Sequence, residues 1–175
     1  SATRIIDEQE LADARKSMSA EQYEQEYECS FDAAIMGAYY GALMAAAEED
    51  GRIGRVPHDP ALQVETWWDL GFGDSTAIWF VQRPRGGEIR VIDYHESSGD
   101  GLPEFKRIID SKKYNYSRHV APFDIENGEW GTGKTRIEMA GELGLEFEVA
   151  PKLSPESGIE AVRMMLPMCS FDAVK

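Results

Sequence analysis

The stretch that most constrains this chain is Trp67–Val81. An apolar-rich run, Gln63–Leu70, carries Asp69 at its end, and Gly71-Phe72-Gly73-Asp74 turns the chain. A second run, Ala77–Arg83, returns at once. Glycine tolerates the positive φ that so tight a reversal needs. A third run, Glu88–His95, follows across Pro84-Arg85-Gly86-Gly87. Strands joined this closely pair antiparallel, because a parallel connection needs a dozen or more residues. The turn also sets the first chemical question. A carboxylate at a strand end beside glycines leaves room for a metal ion or phosphate to approach the backbone. Asp69 and Asp74 could equally serve as ordinary turn residues that satisfy backbone amides.

Beyond this meander the pattern alternates. Leu102–Lys113 reads as a helix with Phe105, Ile108 and Ile109 on one face. His119–Ile125 reads as a short strand, Thr135–Leu143 as a helix ended by Gly144, and Leu145–Ala150 as a strand. Pro155–Met168 reads as a helix capped by Ser154, with proline at its first position. The order βββ-α-β-α-β-α predicts an α/β fold, a mixed sheet with helices on its faces. Upstream, residues 1–60 form a helical extension and linker to the domain at 61–175. Ile6–Leu11, Ser19–Gln22 and Tyr39–Asp50 are its helical segments, and Arg52–Pro60 is a proline- and glycine-bearing connection.

Charge and composition narrow the classes. No run reaches the roughly 18 apolar residues of a membrane span, and the N-terminus lacks a signal-peptide layout, so a cytosolic protein is expected. Cys29 and Cys169 form no CxxC pair and read as small apolar residues. The net charge of −14 argues against a simple nucleic-acid binder. The excess is concentrated, however. Residues 1–50 hold 12 acids and 3 bases, against 20 and 15 in the remainder. Carboxylates gathered for divalent cations would also raise the negative count.

Two aspartates stand out. Asp69 ends the first strand, and Asp124, in Val120-Ala121-Pro122-Phe123-Asp124-Ile125, follows a later one. Adjacent strands lie about 5 Å apart, so two strand-end carboxylates can share a metal pair. Asp124 could instead be a turn cap. Asp93 and Glu96 read as solvated or edge carboxylates, with alternation placing Asp93 opposite Ile92 and Tyr94. His95 and His119 read as satisfied or surface residues. Gly128-Glu129-Trp130-Gly131-Thr132-Gly133-Lys134-Thr135 matches the phosphate-loop pattern GxxxxGK[ST]. The negative charge of Asp124 before it, the antiparallel meander, and the lack of a later apolar strand ending in a magnesium-binding aspartate count against a nucleotide site. A basic loop able to touch a DNA phosphate fits better.

Taken together, Trp68-Asp69-Leu70-Gly71-x-Gly73-Asp74-Ser75-Thr76-Ala77-Ile78-Trp79, Val91-Ile92-Asp93-Tyr94, Pro122-x-Asp124-Ile125 and Gly131-Thr132-Gly133-Lys134-Thr135-Arg136 resemble the C-terminal nuclease domain of tailed-phage terminase large subunits. The resemblance spans nearly the whole chain and rests on the ordered set. It implies an RNase H-like fold and a metal-dependent endonuclease that cuts concatemeric viral DNA, using two Mg²⁺ or Mn²⁺. It implies Asp69 and Asp124 as catalytic metal ligands, Asp74 as an accessory acid, and Lys134 and Arg136 as DNA contacts. Its implied partners are double-stranded viral DNA, the portal protein, the terminase small subunit and an ATPase domain, in the host cytoplasm. The family's third carboxylate lies on a later helix, past a segment like Met168–Asp172. This chain on its own is therefore expected to bind metal weakly and cut poorly, with Asp172 on the fold side rather than a ligand.

Two other readings stay open at this point. One is an ATP-binding domain, using either the Lys134 loop or Asp69–Thr76 as an actin- or sugar-kinase-like phosphate loop. The other is a non-catalytic docking module that contacts partners through its acidic N-terminal helices.

Overall fold

The computed structural model describes residues 39–71, 75–128 and 133–174. The chain divides into two compact units, residues 1–46 and 47–175. Helix α1 (Gly41–Glu49) falls where a helix was expected, whereas the segments Ile6–Leu11 and Ser19–Gln22 lie outside the described residues. The second unit is built on a seven-stranded mixed sheet. Its strands are β1 (Ile53–Gly54), β2 (Val64–Asp69), β3 (Ser75–Gln82), β4 (Ile89–Ser98), β5 (Tyr116–Ala121), β6 (Phe147–Val149) and β7 (Cys169–Asp172), and its helices are α2 (Leu102–Lys112), α3 (Arg136–Glu142) and α4 (Pro155–Met165). The spatial order is β1-β7-β4-β3-β2-β5-β6. β2, β3 and β4 form the expected antiparallel meander. β5 then lies parallel to β2, and β6 parallel to β5. The five strands β4-β3-β2-β5-β6 are an RNase H-like sheet.

Alternation along β2 explains the core. Val64, Thr66 and Trp68 are buried on one face, while Glu65, Trp67 and Asp69 point the other way. The amphipathic helix α2 covers the first face with Phe105 and Ile109. Trp68 meets Phe105 and Phe147 edge-on, with ring centroids 5.7 and 5.1 Å apart. Such pairs add about 1 kcal/mol beyond the area they bury. Buried Gln82 donates to the carbonyls of Asp59 and Leu62 at 2.8 and 2.9 Å and accepts from Asp59 N–H at 2.8 Å. This pins the approach to β2.

Several expectations need correction. Residues 122–125 are not strand. Pro122 has no N–H to give the ladder, so β5 stops at Ala121 and Phe123–Glu126 forms a 3₁₀ turn. The last helix ends at Met165 rather than Met168, because Pro167 removes a helical amide and Leu166–Met168 tightens to 3₁₀. Two strands were missed. β7 follows that turn and pairs parallel with β4, and β1 lies inside the stretch read as linker, pairing with β7. Asp172 serves the fold, accepting from Val56 N–H at 2.9 Å. Asp93 is buried rather than solvated or at an edge. A bulge between Phe80 and Val81 breaks the alternation. Asp93 therefore shares the α2 side with Ile92, where Lys112 and Tyr114 reach it.

Candidate metal centre at the ends of adjacent strands

Asp69 is the exposed last residue of β2. The parallel pairing Trp67↔Val120 brings the C-terminal end of β5 alongside it. Asp124 stands four residues past Val120, in the 3₁₀ turn. That turn is anchored by fully buried Ile125 and by hydrogen bonds from Ile125 N–H to Pro122 O (3.1 Å) and Asn127 N–H to Asp124 O (3.0 Å). Asp124 Oδ1 is shielded from solvent and meets no hydrogen-bond partner. An acceptor left this way costs about 1–3 kcal/mol unless something else satisfies it. A carboxylate at the end of β2 and one in the turn past β5, the latter with an orphaned oxygen, are hard donors of the kind that suit a divalent cation. Among the described residues, no group of three His, Cys, Asp or Glu side chains is placed to hold a metal ion. Asp74 lies outside the described residues.

Glu96 belongs to the same end of the sheet and was undervalued from sequence. The register Asp69↔Ala77↔Glu96 puts both acids in one cross-strand row. Glu96 accepts from Tyr94 OH at 2.7 Å. That bond, helped by the Ser75 hydroxyl, lowers the Glu96 pKa. The Tyr94 phenol is correspondingly pushed up to about 12, chiefly by the bond to Glu96 and then by burial. His95 Nε2 and Ser97 Oγ, also near the end of β4, are buried without partners. A small cavity of about 140 Å³ opens beside this end, lined in part by Leu70, Thr76, Asp100, Ile125 and Arg136.

Beneath Asp69 a polar chain ties β2 to β5. Trp68 Nε1 donates to Thr66 Oγ1 at 2.7 Å, and Thr66 Oγ1 lies 2.6 Å from His119 Nδ1. With the hydroxyl accepting from Trp68, its proton points at His119, which fits an imidazole neutral at Nδ1. Burial, aided by Lys106, lowers the His119 pKa in the same sense. His119 is thus a satisfied histidine, as read.

Within the phosphate-loop match, residues 129–132 lie outside the described residues. Gly128 and Thr135 close on each other as an antiparallel bridge. Thr135 caps α3, and its own N–H and hydroxyl bond Glu138 at 2.8 and 2.9 Å. The amides of Thr135, Arg136 and Glu138 are thus engaged within the chain. Lys134 forms a salt bridge to Glu142. Arg136 is the first residue of α3.

No protein-family model matches the chain, and no curated protein does. Solved structures do. The large terminase nuclease domain of phage P22 superposes with a TM-score of 0.51 at 14% identity, over 69% of this chain and 66% of that one. The large terminase nuclease of thermophilic phage G20c with bound magnesium gives 0.52 at 13%, over 78% and 75%. The large terminase of a second thermophilic bacteriophage gives 0.56 at 12%, over 71% of this chain and 32% of that one. The chain has the fold of a large-terminase nuclease domain. It spans about a third of the length of that longer terminase. Asp69, at the end of β2, and Asp124, in the turn just past β5, are carried by adjacent parallel strands of this sheet.

Proposed function

We propose that this chain is the metal-dependent endonuclease module of a viral DNA-packaging terminase large subunit, acting on double-stranded DNA. The reading is supported by Asp69 at the end of β2 and Asp124 in the turn just past the adjacent parallel strand β5, with Asp124 Oδ1 unpartnered, in a sheet of the terminase-nuclease fold. Asp69 and Asp124 would hold two Mg²⁺ or Mn²⁺, with Asp74 as an accessory acid. Bound there, the ions would lower the pKa of a water and offset charge on the leaving oxygen of a phosphodiester. The protein's own work is positional. Ile125 and the 3₁₀ hydrogen bonds fix Asp124, and the Trp68–Thr66–His119 chain fixes β2 next to Asp69. Lys134 and Arg136, on the neighbouring loop and helix start, would meet the DNA backbone.

The larger assembly follows from the same reading: an ATPase domain, the portal protein and the terminase small subunit would be its partners. The deciding experiment is plasmid cleavage under Mg²⁺ or Mn²⁺ by the full-length protein carrying Asp69→Asn. Cleavage should fall by about 10³-fold, the loss of several kcal/mol of transition-state stabilisation. Undiminished cutting would remove the assignment.

A further inference from the structure

Among the described residues of this acidic chain, more than half of the lysines and arginines pair with a carboxylate. Arg52 pairs with Asp50, Arg90 with Glu88, Lys106 with Asp110, Lys112 with Asp93, Arg118 with Glu65 and Glu148, and Lys134 with Glu142. Lys152 is an exception, and it sits at the end of the sheet that carries Asp69 and Asp124. It is exposed and meets no carboxylate among the described residues. Its Nζ lies 4.6 Å from the centroid of the Phe123 ring. Phe123 immediately precedes Asp124 and is 42% exposed, and neighbouring Leu153 is 52% exposed.

The backbone on either side of these residues is tied to the sheet. Ala150 N–H donates to Ala121 O at 2.8 Å, extending the register Ala121↔Val149 and locking the exits of β5 and β6 side by side. The 3₁₀ turn that fixes Asp124 therefore also fixes the ring one residue before it. A cation over an aromatic face is oriented at little cost and keeps its outer N–H groups for an anion. Ring and ammonium together offer an apolar face and a positive charge within one residue of a candidate catalytic carboxylate. That combination fits a sugar–phosphate backbone.

We propose that Lys152 and Phe123 form a DNA-positioning flank on the β6 side of Asp124. Lys152 takes a backbone phosphate flanking the scissile one, and Phe123 packs against the adjoining sugar. The inference rests on the nuclease reading and deepens it by giving the DNA a side from which it enters the site.

The test is binding of a short labelled duplex by this chain, followed by fluorescence anisotropy over a range of salt. Ca²⁺ replaces Mg²⁺ so that strands stay intact, and a parallel Mn²⁺ titration is run on wild type and Asp69→Asn. Lys152→Gln should weaken binding severalfold and reduce the slope of log K against log salt by about 1, as loss of one phosphate contact requires. Phe123→Ala should weaken binding with the slope unchanged. Arg85→Gln, in the β3–β4 turn at the opposite end of the sheet, should alter neither. Both target side chains are exposed, so melting temperatures should hold. Wild-type affinity and slope in Lys152→Gln and Phe123→Ala would overturn the proposal, as would an equal loss in Arg85→Gln. If the wild type bound Mn²⁺ through Asp69 but no DNA, the flank alone would fall. If it bound neither, the flank would fall, and the nuclease reading would fall with it only if Asp69→Asn left plasmid cleavage by the full-length protein intact.

Discussion

Asp93 and Asp124 are both carboxylates set against the core, and the chain treats them in opposite ways. Asp93 lies inside β4 with every oxygen used. Oδ1 accepts from Tyr94 N–H at 2.9 Å, and Oδ2 accepts from Lys112 Nζ at 2.7 Å and Tyr114 OH at 3.0 Å. The bond to Asp93, after burial itself, raises the Tyr114 pKa well above its ordinary value. Asp124 stands just beyond β5 with Oδ1 shielded and unpaired. A complete set of internal partners marks a group that serves the fold. On the proposed reading, the incomplete set at Asp124, in the turn past β5, is the one a metal ion would complete. Burial alone does not separate them, since Asp93 is the more buried of the two.

The sharpest way to break this contrast is to remove one charge at each place. Asp124→Asn keeps the shape of the turn. In the full-length protein it should lower Mg²⁺-dependent cleavage by about 10³-fold while leaving the melting temperature near wild type. Asp93→Asn should do the reverse. It leaves the Lys112 ammonium without its carboxylate, and removing one partner of a buried pair costs about 3 kcal/mol. Lys112 is only partly covered, which places the loss toward the low end of that range. Chemical denaturation and Mn²⁺ titration of both variants read the two quantities separately. Early unfolding of Asp124→Asn with an unaffected Asp93→Asn would invert the assignment.

That contrast also marks how far residues alone could carry the reading. The meander was legible because Trp67–Val81 has only one economical way to fold, and the order of later elements followed from their periodicity. Asp69 was legible as a strand-end acid, whereas Asp124 lies in the 3₁₀ turn past β5. Asp93 was misjudged because the bulge at Phe80/Val81 shifts its side, and a bulge leaves no mark in an alternation pattern. β1 escaped notice because a two-residue strand has no period to detect. β7 was hidden because its apolar residues continue those of the preceding helix until Pro167 breaks it. The phosphate-loop match ends in a Thr135–Glu138 capping box, which the pattern of letters did not show. Lys152 carried no sequence signal, since its meaning depends on Phe123 arriving from a different strand end.

A smaller effect tests the rule at the phosphate-loop match. Thr135 and Glu138 satisfy each other's backbone donors, so by the same logic they serve the fold. Thr135→Ala should cost about 1 kcal/mol, the usual worth of such a cap, and leave metal-dependent cleavage per folded molecule unchanged. A nucleotide-binding loop would behave otherwise. There the threonine would be a ligand, ATP would raise the melting temperature of the wild type, and Thr135→Ala would abolish that rise. Thermal melts with and without ATP distinguish the two outcomes.

The gentlest probe uses pH on a polar chain that is satisfied only in one protonation state. His119 Nδ1 faces Thr66 Oγ1 at 2.6 Å, and burial holds its pKa below the ordinary 6.5. Above 6.5 the imidazole is neutral in folded and unfolded chains alike, so this stabilisation is fully present. As pH falls below 6.5 the unfolded chain takes up a proton that the folded one refuses. Stability is therefore lost progressively down to the folded pKa. Glu96, Glu104, Glu138 and Glu156, whose pKa values are lowered from 4.5, lose their contributions only in more acid solution. Denaturation midpoints between pH 7.5 and 5 isolate the histidine. His119→Gln keeps an acceptor for Thr66 without a titrating group, so its midpoints should fall less steeply than those of the wild type. Identical slopes would show that the Trp68–Thr66–His119 chain tolerates a charged ring, and that β2 beneath Asp69 is held by packing of Trp68 against Phe105 and Phe147 rather than by this hydrogen-bonded link.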